Sequence, residues 1–349
     1  MRNLLVVLIC LQLYACGGGG ISGAGTPKPT SPADTTTPEI TLRGCASITI
    51  ELGTAYEEPG ATATDNVDGS VGVEIVGSVD TDVLGDYTLT YTATDSSSNI
   101  RSANRSVSVV EPMTNIKPVD SNKWHHQTVI PNGNNWFNGE VQHYTDRMEN
   151  SYVSDGTLKI VAKKEQYSNA GITKQYTSAR LNSKFAFTYG RVEVRAKMPT
   201  GHGTWPAIWM LGKDGVWPDR GEIDITEWFG RYSDQYTVTS AVHNGAFSGG
   251  DLGNAPSGNP QTAQQRLNDL CTAYHNFQLH WTSSSLVIGV DNVPTLTYRK
   301  TSSSNAQWPF DQPAFLLLNV AVGGNLGGSV NPSDISKMTM YVDYVRVWQ

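Results

Sequence analysis

The stretch Gly221-Glu222-Ile223-Asp224-Ile225-Thr226-Glu227 places three carboxylates within six positions and separates them with β-branched residues. β-branched residues favour a strand, where successive side chains point to opposite faces. Glu222 and Asp224 would then share one face and the two isoleucines the other. Glu227 would join the isoleucine face unless a β-bulge adds one residue and resets the alternation. The stretch therefore predicts a bulged strand with three carboxylates on one face.

The composition is that of a turn-rich β protein. Among 349 residues there are 34 Gly and 17 Pro, only 16% are charged, and the net charge is −7. No run of Lys or Arg occurs, which argues against a nucleic-acid partner. The frequent Trp and Tyr indicate an aromatic-lined site that suits a neutral ligand better than a polyanion.

Residues 113–349 have the pattern of one large all-β domain. Residues 190–198 alternate strictly in polarity, and residues 314–322 form a nearly continuous apolar run, typical of a strand buried on both faces. Only residues 262–270 have a weak helical period. We therefore expect a single large β-sandwich with one concave sheet.

Residues 39–111 are expected to form a separate small β-sandwich. Short alternating runs are divided by turn clusters, and the unit resembles bacterial immunoglobulin-like domains of surface proteins. Its most natural role is that of a spacer, with glycan binding as the alternative. Asp65 and Asp68 either form turns, which is the commoner use, or bind calcium.

The N-terminus carries a targeting signal. A basic start precedes an apolar run of about eleven residues, too short for the roughly 20 that a spanning helix needs, so residues 1–15 are predicted to be a signal peptide. Leu13-Tyr14-Ala15-Cys16 resembles a bacterial lipoprotein signal, which implies acylation of Cys16; an ordinary secretory signal is the alternative. By the same resemblance, Gly17 after the cysteine favours the outer membrane. Residues 16–38 are predicted to be a linker.

The cysteines do not predict a disulfide framework. Cys10 leaves with the signal and Cys16 is the lipidation candidate, which leaves Cys45 and Cys271 in different predicted domains. We expect two unpaired buried thiols, with a bridge between the domains as the alternative.

Several stretches of residues 113–349 share one resemblance with the acidic strand. They are Asn138-Gly139-Glu140-Val141-Gln142-His143-Tyr144-Thr145, Tyr176-Thr177-Ser178-Ala179-Arg180, Gly203-Thr204-Trp205-Pro206-Ala207-Ile208-Trp209-Met210-Leu211, Trp217-Pro218, Ala241-Val242-His243, Trp308-Pro309-Phe310 and Val342-Asp343-Tyr344-Val345-Arg346-Val347. Together they resemble glycoside hydrolase family 16, and specifically its laminarinase branch of endo-β-1,3-glucanases. The resemblance implies a jelly-roll sandwich and a retaining endo-glycosidase. In that mechanism Glu222 is the nucleophile, Glu227 the general acid/base, and Asp224 the partner between them.

The chemistry of the stretch agrees with this role. Retaining glycoside hydrolysis needs two carboxyl groups about 5–5.5 Å apart. Two Glu side chains leaning together over a central Asp can close most of the roughly 13 Å that four strand steps span. Negative charge nearby would raise the pKa of Glu227 and keep it protonated. The alternative is an acidic strand that binds calcium or faces solvent.

The resemblance also implies substrate contacts, at Asn138, Arg180, Trp205, Trp209 and His243. Tryptophans offer flat platforms for sugar rings, although core packing or another structural role is the alternative for each of these residues. No cofactor is expected for catalysis, and no histidines show the spacing of a zinc site.

A structural calcium ion is a further implication of the resemblance. Its ligands would include the backbone carbonyl of Gly156 and the side chain of Asp343. The opening strand that supplies another ligand is not recognisable in residues 112–123, which are predicted to be linker.

Two classes of function follow. The first is an endo-glycanase for β-1,3-glucan, with mixed-linkage glucan, agar or carrageenan as alternatives; sulfated substrates should need a basic cleft. The second is a surface glycan-binding lipoprotein without turnover. In either case we expect a monomer attached to the cell envelope by its lipid anchor, or otherwise secreted.

Overall fold

Turn clusters and alternating runs produce a short set of strands in the N-terminal region. The computed structural model describes residues 34–110, 112, 116–131, 133, 135–232, 234–330 and 337–349, so the signal segment and Cys16 lie outside the described residues. The first seven strands are β1 (Glu39–Leu42), β2 (Ser47–Glu51), β3 (Ala61–Asp65), β4 (Gly69–Val71), β5 (Val73–Val76), β6 (Gly85–Thr94) and β7 (Ile100–Val110). They form two sheets, in the orders β1-β3-β4 and β2-β7-β6-β5. This is the small sandwich that the sequence predicts.

The two aspartates of this region serve as turn formers. Asp65 Oδ1 accepts hydrogen bonds from the backbone N–H groups of Val67 and Asp68, at 2.8 and 3.1 Å. The Asp68 carboxylate accepts bonds from the backbone N–H and the hydroxyl of Ser96. These contacts favour the turn-forming interpretation of both residues.

The larger region is a sandwich of two sheets with almost no helix among the described residues. Its strands are β8 (Trp124–His126), β9 (His143–Tyr144), β10 (Ser151–Ser154), β11 (Thr157–Asn169), β12 (Ile172–Ser178), β13 (Arg180–Ser183), β14 (Gly190–Lys197), β15 (Thr204–Gly212), β16 (Glu222–Trp228), β17 (Thr237–His243), β18 (Thr262–Arg266), β19 (His275–Trp281), β20 (Ser285–Val290), β21 (Val293–Arg299), β22 (Ala314–Val322) and β23 (Lys337–Trp348). The helical pieces are 3-10 turns at Phe137–Gly139 and Gly249–Asn254 and one α-helical turn, α1 (Gly324–Gly327).

One sheet carries the acidic strand and the other packs beneath it. The first has the order β18-β17-β16-β15-β22-β13-β8, and the second runs β21-β20-β19-β14-β23-β11-β12-β9, with β10 on β11. Apolar side chains from the two sheets meet in one core, in which Ile223 and Ile225 of β16 lie with Phe277 and Leu279 of β19. The core thus buries the isoleucine face of β16, and the carboxylate face points away from this core.

The predicted bulge in β16 is confirmed by its register. Asp224 pairs with Ala241 of β17, but Glu227 pairs with Thr239, so three steps on β16 match two on its neighbour. The extra residue returns Glu227 to the face of Glu222 and Asp224. The continuous apolar run is also confirmed, since β22 spans Ala314–Val322 and is buried along nearly all its length.

The helix suggested by the weak period at residues 262–270 is wrong. Residues Thr262–Arg266 are β18, an edge strand paired antiparallel to β17. Its side chains alternate between exposed and half-buried positions, as on a half-covered edge. Pairing with the adjacent strand outweighs intrinsic helix preference here.

The segment predicted to be linker is packed against the sandwich where it is described. Lys117 bridges to Val153 through two backbone hydrogen bonds of 2.8 Å, and Val119 is buried in the core of the two sheets. Residues 113–115 lie outside the described residues. The prediction of a free linker is therefore wrong for the part around Lys117 and Val119.

The expectation of two unpaired thiols is also wrong. Cys45 and Cys271 form a disulfide, with Cα atoms 5.8 Å apart and 226 residues between them in sequence. Cys45 follows β1 of the small sandwich, whereas Cys271 lies in the turn after β18. Sequence separation says nothing about this proximity, which arises only from how the two sandwiches meet.

Candidate active site

The carboxylates of β16 open into a cleft of about 530 Å³ on the first sheet. β15 lies beside β16, and β22 and β13 follow in that order, so residues from neighbouring strands converge on the same hollow. The side chains that carry its chemistry are Asn138, Glu140, Arg180, Trp205, Trp209, Trp217, Glu222, Asp224, Glu227 and Asn319. All but one of the predicted site residues therefore line a single cleft, the calcium ligands and Cys16 aside.

The two predicted platform tryptophans are held by different polar partners. Trp205 is buried and its indole Nε1–H donates to Glu227 Oε1 at 2.7 Å. Trp209 is half-buried and its Nε1–H donates to Asn319 Oδ1 at 2.7 Å. Both lie on β15 four residues apart, so they share the cleft face as predicted.

Arg180 begins β13 and lies beside Trp209. Its guanidinium carbon is 4.6 Å from the centroid of the Trp209 ring, within the range of a cation–π contact. The side chain is 7% exposed, and its Nε has no hydrogen-bond partner among the described residues. A buried donor with no partner is costly, so Arg180 is ready to donate to a ligand in the cleft.

His243 does not line the cleft but lies against the carboxylates. Its Nε2 is 3.0 Å from Asp224 Oδ2 and 3.8 Å from Glu222 Oε1. The backbone N–H of Gly249 donates to Nδ1 at 3.1 Å, so the neutral ring carries its proton on Nε2, facing the acids. This position favours an action on Asp224 and Glu222 over direct contact with substrate.

Burial dominates the electrostatics of the three acids. It raises the pKa of Glu222 to about 8, the charge of Asp224 raises it too, and His243 and Arg180 lower it. Burial raises the pKa of Asp224 to about 8 as well. The pKa of Glu227 lies well above its usual range, because of burial first and the charge of Asp224 second. From the sequence we expect nearby negative charge alone to raise the pKa of Glu227, whereas burial is the larger cause.

Three side chains at the site could hold a metal ion. Glu222, Asp224 and His243 each offer one ligand atom, and these atoms lie within 4.8 Å of one another. The histidine spacing in the sequence gave no sign of this group, because Glu222 and His243 meet only through the pairing of β16 with β17.

The predicted calcium ligands share a different hollow. Gly156 and Asp343 both line it, together with Lys123. However, Asp343 Oδ2 is 2.5 Å from Arg195 Nη1. A carboxylate already paired with a guanidinium does not fit a calcium site. We therefore expect the melting temperature to be the same with and without chelator, and a shift would support the calcium ion that the resemblance implies.

Sequence reasoning missed three residues that line the cleft, Glu140, Asn319 and Trp217. Glu140 shares a period-two pattern with Gln142 and Tyr144, all three able to hydrogen bond, and this pattern could have marked a polar face. Asn319 is the one polar residue in the apolar run of β22, and a buried amide must find partners. Trp217 is 46% exposed, which is unusual for Trp and typical of a binding surface.

Comparison with known proteins agrees with this geometry. The family model of glycosyl hydrolases family 16 matches residues 137–346, and that of the bacterial surface protein Ig-like domain matches residues 40–109. The chain therefore belongs to glycosyl hydrolases family 16, and the class that its fold and cleft define is a glycoside hydrolase with an N-terminal immunoglobulin-like domain.

The relatives include proteins named as glucanases. The chain is 38% identical over 258 residues to glucan endo-1,3-beta-glucosidase A1 of Niallia circulans, covering 66% of this chain and 36% of that protein. It is 38% identical over 247 residues to a beta-glucanase of Rhodothermus marinus, covering 66% and 80%. A variant of LamA from Zobellia galactanivorans, solved with laminaritriose and laminaritetraose, is 40% identical with a TM-score of 0.58, covering 67% and 95%. The chain thus spans about a third of the first relative and most of the other two.

Proposed function

We propose that the protein is a retaining endo-glycosidase that hydrolyses β-1,3-glucan, with Glu222 as nucleophile and Glu227 as general acid/base. The observation that carries this proposal is the bulged strand β16, which aims three carboxylates into one tryptophan-lined cleft. Such an arrangement supplies two carboxyl groups at one glycosidic bond, which is what double displacement requires.

The division of roles follows from the neighbours of each acid. Arg180 lowers the pKa of Glu222, and His243 lowers the pKa of both glutamates, so the anionic form of Glu222 is the better stabilised. Glu227 has a neutral hydrogen-bond donor, Trp205, and its pKa lies well above the usual range. Glu222 therefore ionises more readily and suits the nucleophile, whereas Glu227 keeps its proton and suits the acid.

The reaction then proceeds in two displacements. Glu227 gives its proton to the glycosidic oxygen while Glu222 attacks the anomeric carbon, which releases the leaving chain and forms a glycosyl ester. In the second displacement, Glu227 takes a proton from water and the oxygen of that water replaces Glu222 at the same carbon. Two inversions at one carbon give net retention. Asp224 lies between the two acids, and in its ionised form its charge raises the pKa of Glu227 and so helps to hold the proton there.

The substrate class is inferred from the walls of the cleft and from the relatives. Trp209 is half-buried and offers an apolar face for a sugar ring, while Trp205 lines the same cleft from a buried position. The Nε–H of Arg180 is a donor without a partner among the described residues and suits a hydroxyl group. Two of the relatives described above are named as glucanases, and the third was solved with oligosaccharides of the laminarin type. Together these features favour β-1,3-glucan over a sulfated polymer, for which the cleft has few basic groups.

Separate Glu222→Gln and Glu227→Gln variants test the assignment on laminarin, lichenan, agarose and carrageenan. We expect wild type to act best on laminarin, and each variant to lose a factor of about a thousand or more in rate. Glu193→Gln is a matched control, because Glu193 is a buried carboxylate of β14 outside the cleft. Near-wild-type rates in either cleft variant would contradict the roles, and wild-type binding without reducing-end release would favour a glycan-binding protein.

We also propose that the mature protein is a monomer anchored to the cell envelope, at the outer membrane, through acylated Cys16. The support is the basic start, the apolar run and the cysteine after Leu13-Tyr14-Ala15. Among the described residues no helix is long and apolar enough to cross a membrane. Cys16→Ser should move the protein from the membrane fraction to the soluble fraction; unchanged fractionation would contradict the anchor.

A further inference from the structure

We propose that Asn319, Tyr144 and Glu140 form a buried hydrogen-bond chain that fixes the indole ring of Trp209, and that this chain positions the glycan platform of the cleft. The inference rests on the proposed function, because Trp209 is a platform only if a glycan lies in the cleft. It concerns residues that would act through Trp209 and not on the reacting atoms.

Three hydrogen bonds connect Trp209 to Glu140. Trp209 Nε1–H donates to Asn319 Oδ1 at 2.7 Å. Asn319 Nδ2 donates to the Tyr144 hydroxyl at 3.2 Å, and this hydroxyl donates to Glu140 Oε2 at 2.8 Å. Each group uses its donor on one side and its acceptor on the other, so rotating the Asn319 amide would break both of its bonds.

The Glu140 end of the chain is connected by further hydrogen bonds to the strand that carries Asn319. Gln142 Nε2 donates to the same Glu140 oxygen at 2.7 Å, and Gln142 Oε1 accepts from the backbone N–H of Val322 at 2.8 Å. Val322 and Asn319 are both on β22. The bonds therefore close a loop on one strand, and the loop leaves little freedom for any member to shift alone.

All three members of the chain are buried. Asn319 is 5% exposed, Tyr144 0% and Glu140 6%. Burial raises the pKa of Glu140 above its usual range, although the charge of Arg180 lowers it. Water cannot substitute readily for a lost partner at such depth, so breaking one bond leaves polar groups unpaired.

The Trp209 end of the chain determines the surface that a ligand would contact in the cleft. Trp209 is half-buried, and its ring lies 4.6 Å from the guanidinium carbon of Arg180. An indole held at Nε1 keeps both its exposed face and its stack with Arg180 in fixed positions. Losing the bond to Asn319 would let the ring turn about its side-chain torsions and would move the platform and the cation together.

Asn319→Leu and Tyr144→Phe test the chain at two points. We expect KM for laminarin to rise about tenfold in Asn319→Leu, and less in Tyr144→Phe, with kcat within about twofold of wild type. In the free protein, the indole N–H resonance of Trp209, assigned with Trp209→Phe, should shift in both variants. Asn319→Leu should add no further rise in KM on the Trp209→Phe background.

Tyr298→Phe is the matched control. The Tyr298 hydroxyl accepts a 3.0 Å hydrogen bond from Asn244 Nδ2, so this pair is also a buried Asn–Tyr contact, but neither residue lines the cleft. The variant should lower the melting temperature while leaving KM and the Trp209 resonance unchanged. This control separates positioning from general loss of stability.

An unchanged Trp209 resonance in Asn319→Leu would overturn the proposal, as would an equal rise of KM in Tyr298→Phe. If wild type cleaves none of the glucans, the proposed function fails and the platform role fails with it. The resonance then still decides whether the chain fixes the indole, because that measurement needs no substrate.

Discussion

Glu222 binds its proton more tightly in the folded protein than in the unfolded chain. Its pKa rises from 4.5 to about 8, chiefly through burial. Between these values the native state holds a proton that the unfolded chain releases, so the stability of the wild type falls as pH rises through this window. Glu222→Gln cannot titrate. We expect it to melt higher than wild type at pH 8, with the gap closing towards pH 5, as measured by calorimetry.

Glu193→Gln should change the stability at pH 8 in the opposite direction to Glu222→Gln. Burial raises the pKa of Glu193, but hydrogen bonds from Gln278, Tyr344 and Arg191 outweigh it and leave the pKa below the usual range. Ionised Glu193 therefore contributes stability above its unfolded pKa, and the substitution should be destabilising at pH 8. A melting difference for Glu222→Gln that does not vary with pH would contradict the account of burial.

Trp205 tunes the proton of Glu227. Its Nε1–H donates to Glu227 Oε1, which favours the ionised form and lowers the pKa of Glu227. Trp205→Phe removes this donor, so the basic limb of the kcat/KM profile should move up by roughly 0.5–1 pH unit. Trp209→Phe, which leaves Glu227 its partner, should raise KM without moving that limb. A limb that moves down in Trp205→Phe would contradict the acid role.

Individual site residues could be predicted from the sequence where they form a repeated pattern. Residues that act through contacts between strands could not be predicted in this way. The acids of β16 stand out because charges interrupt an apolar strand. The neighbours of His243 could not be inferred, since its contact with Asp224 depends on the register of β16 with β17. Asn319 was missed because its partners, Trp209 and Tyr144, are 110 and 175 residues away in sequence.

The bulge of β16 can be tested as an element. Thr226 is fully buried and its hydroxyl has no hydrogen-bond partner among the described residues. Deleting Thr226 leaves Glu222-Ile223-Asp224-Ile225-Glu227, in which plain alternation already puts the three acids on one face. The deletion should therefore keep hydrolysis within about tenfold of wild type.

An insertion is the counterpart of this deletion. One Ala added after Thr226 would turn Glu227 towards the core and should cost a factor of about a thousand or more in rate, as loss of the acid does. Reducing-sugar assays on both variants, with circular dichroism as a check on folding, give the comparison. A folded deletion variant without activity would contradict the inference that the bulge serves to place Glu227 on the face of Glu222 and Asp224.

Strands could be predicted where the spacing of charged or apolar residues along the chain fixes which side chains share a face. The five-residue step from Glu222 to Glu227 implied a bulge, and the apolar run predicted β22 to the residue. β18 was not predictable in this way, because Thr262–Arg266 carries few apolar residues and owes its extended form to β17.

The disulfide acts on the whole molecule. Cys45 and Cys271 join the small sandwich to the large one across 226 residues, and neither lines the cleft. A Cys45→Ser/Cys271→Ser variant should lose about 2–4 kcal/mol of stability, because cross-links restrict the unfolded chain. Its kcat/KM at 25 °C should stay within about twofold of wild type. An unchanged melting temperature, or free thiols in the denatured unreduced protein, would contradict the cross-link.

The arrangement of the two sandwiches could not be predicted from the sequence. Composition and turn spacing gave two β units, but the meeting of the turn after β1 with the turn after β18 depends on the whole fold. The small sandwich was predicted as a spacer, and the disulfide gives it a fixed attachment to the catalytic sandwich.

The configuration of the first product tests the central claim most directly. Proton NMR of laminarin hydrolysis, recorded in the first minutes, distinguishes the α from the β anomer before mutarotation mixes them. If Glu222 is the nucleophile and Glu227 the acid/base, the new reducing ends appear first as the β anomer. The α anomer appearing first would mean a single displacement by water, and would contradict the proposed roles of both acids.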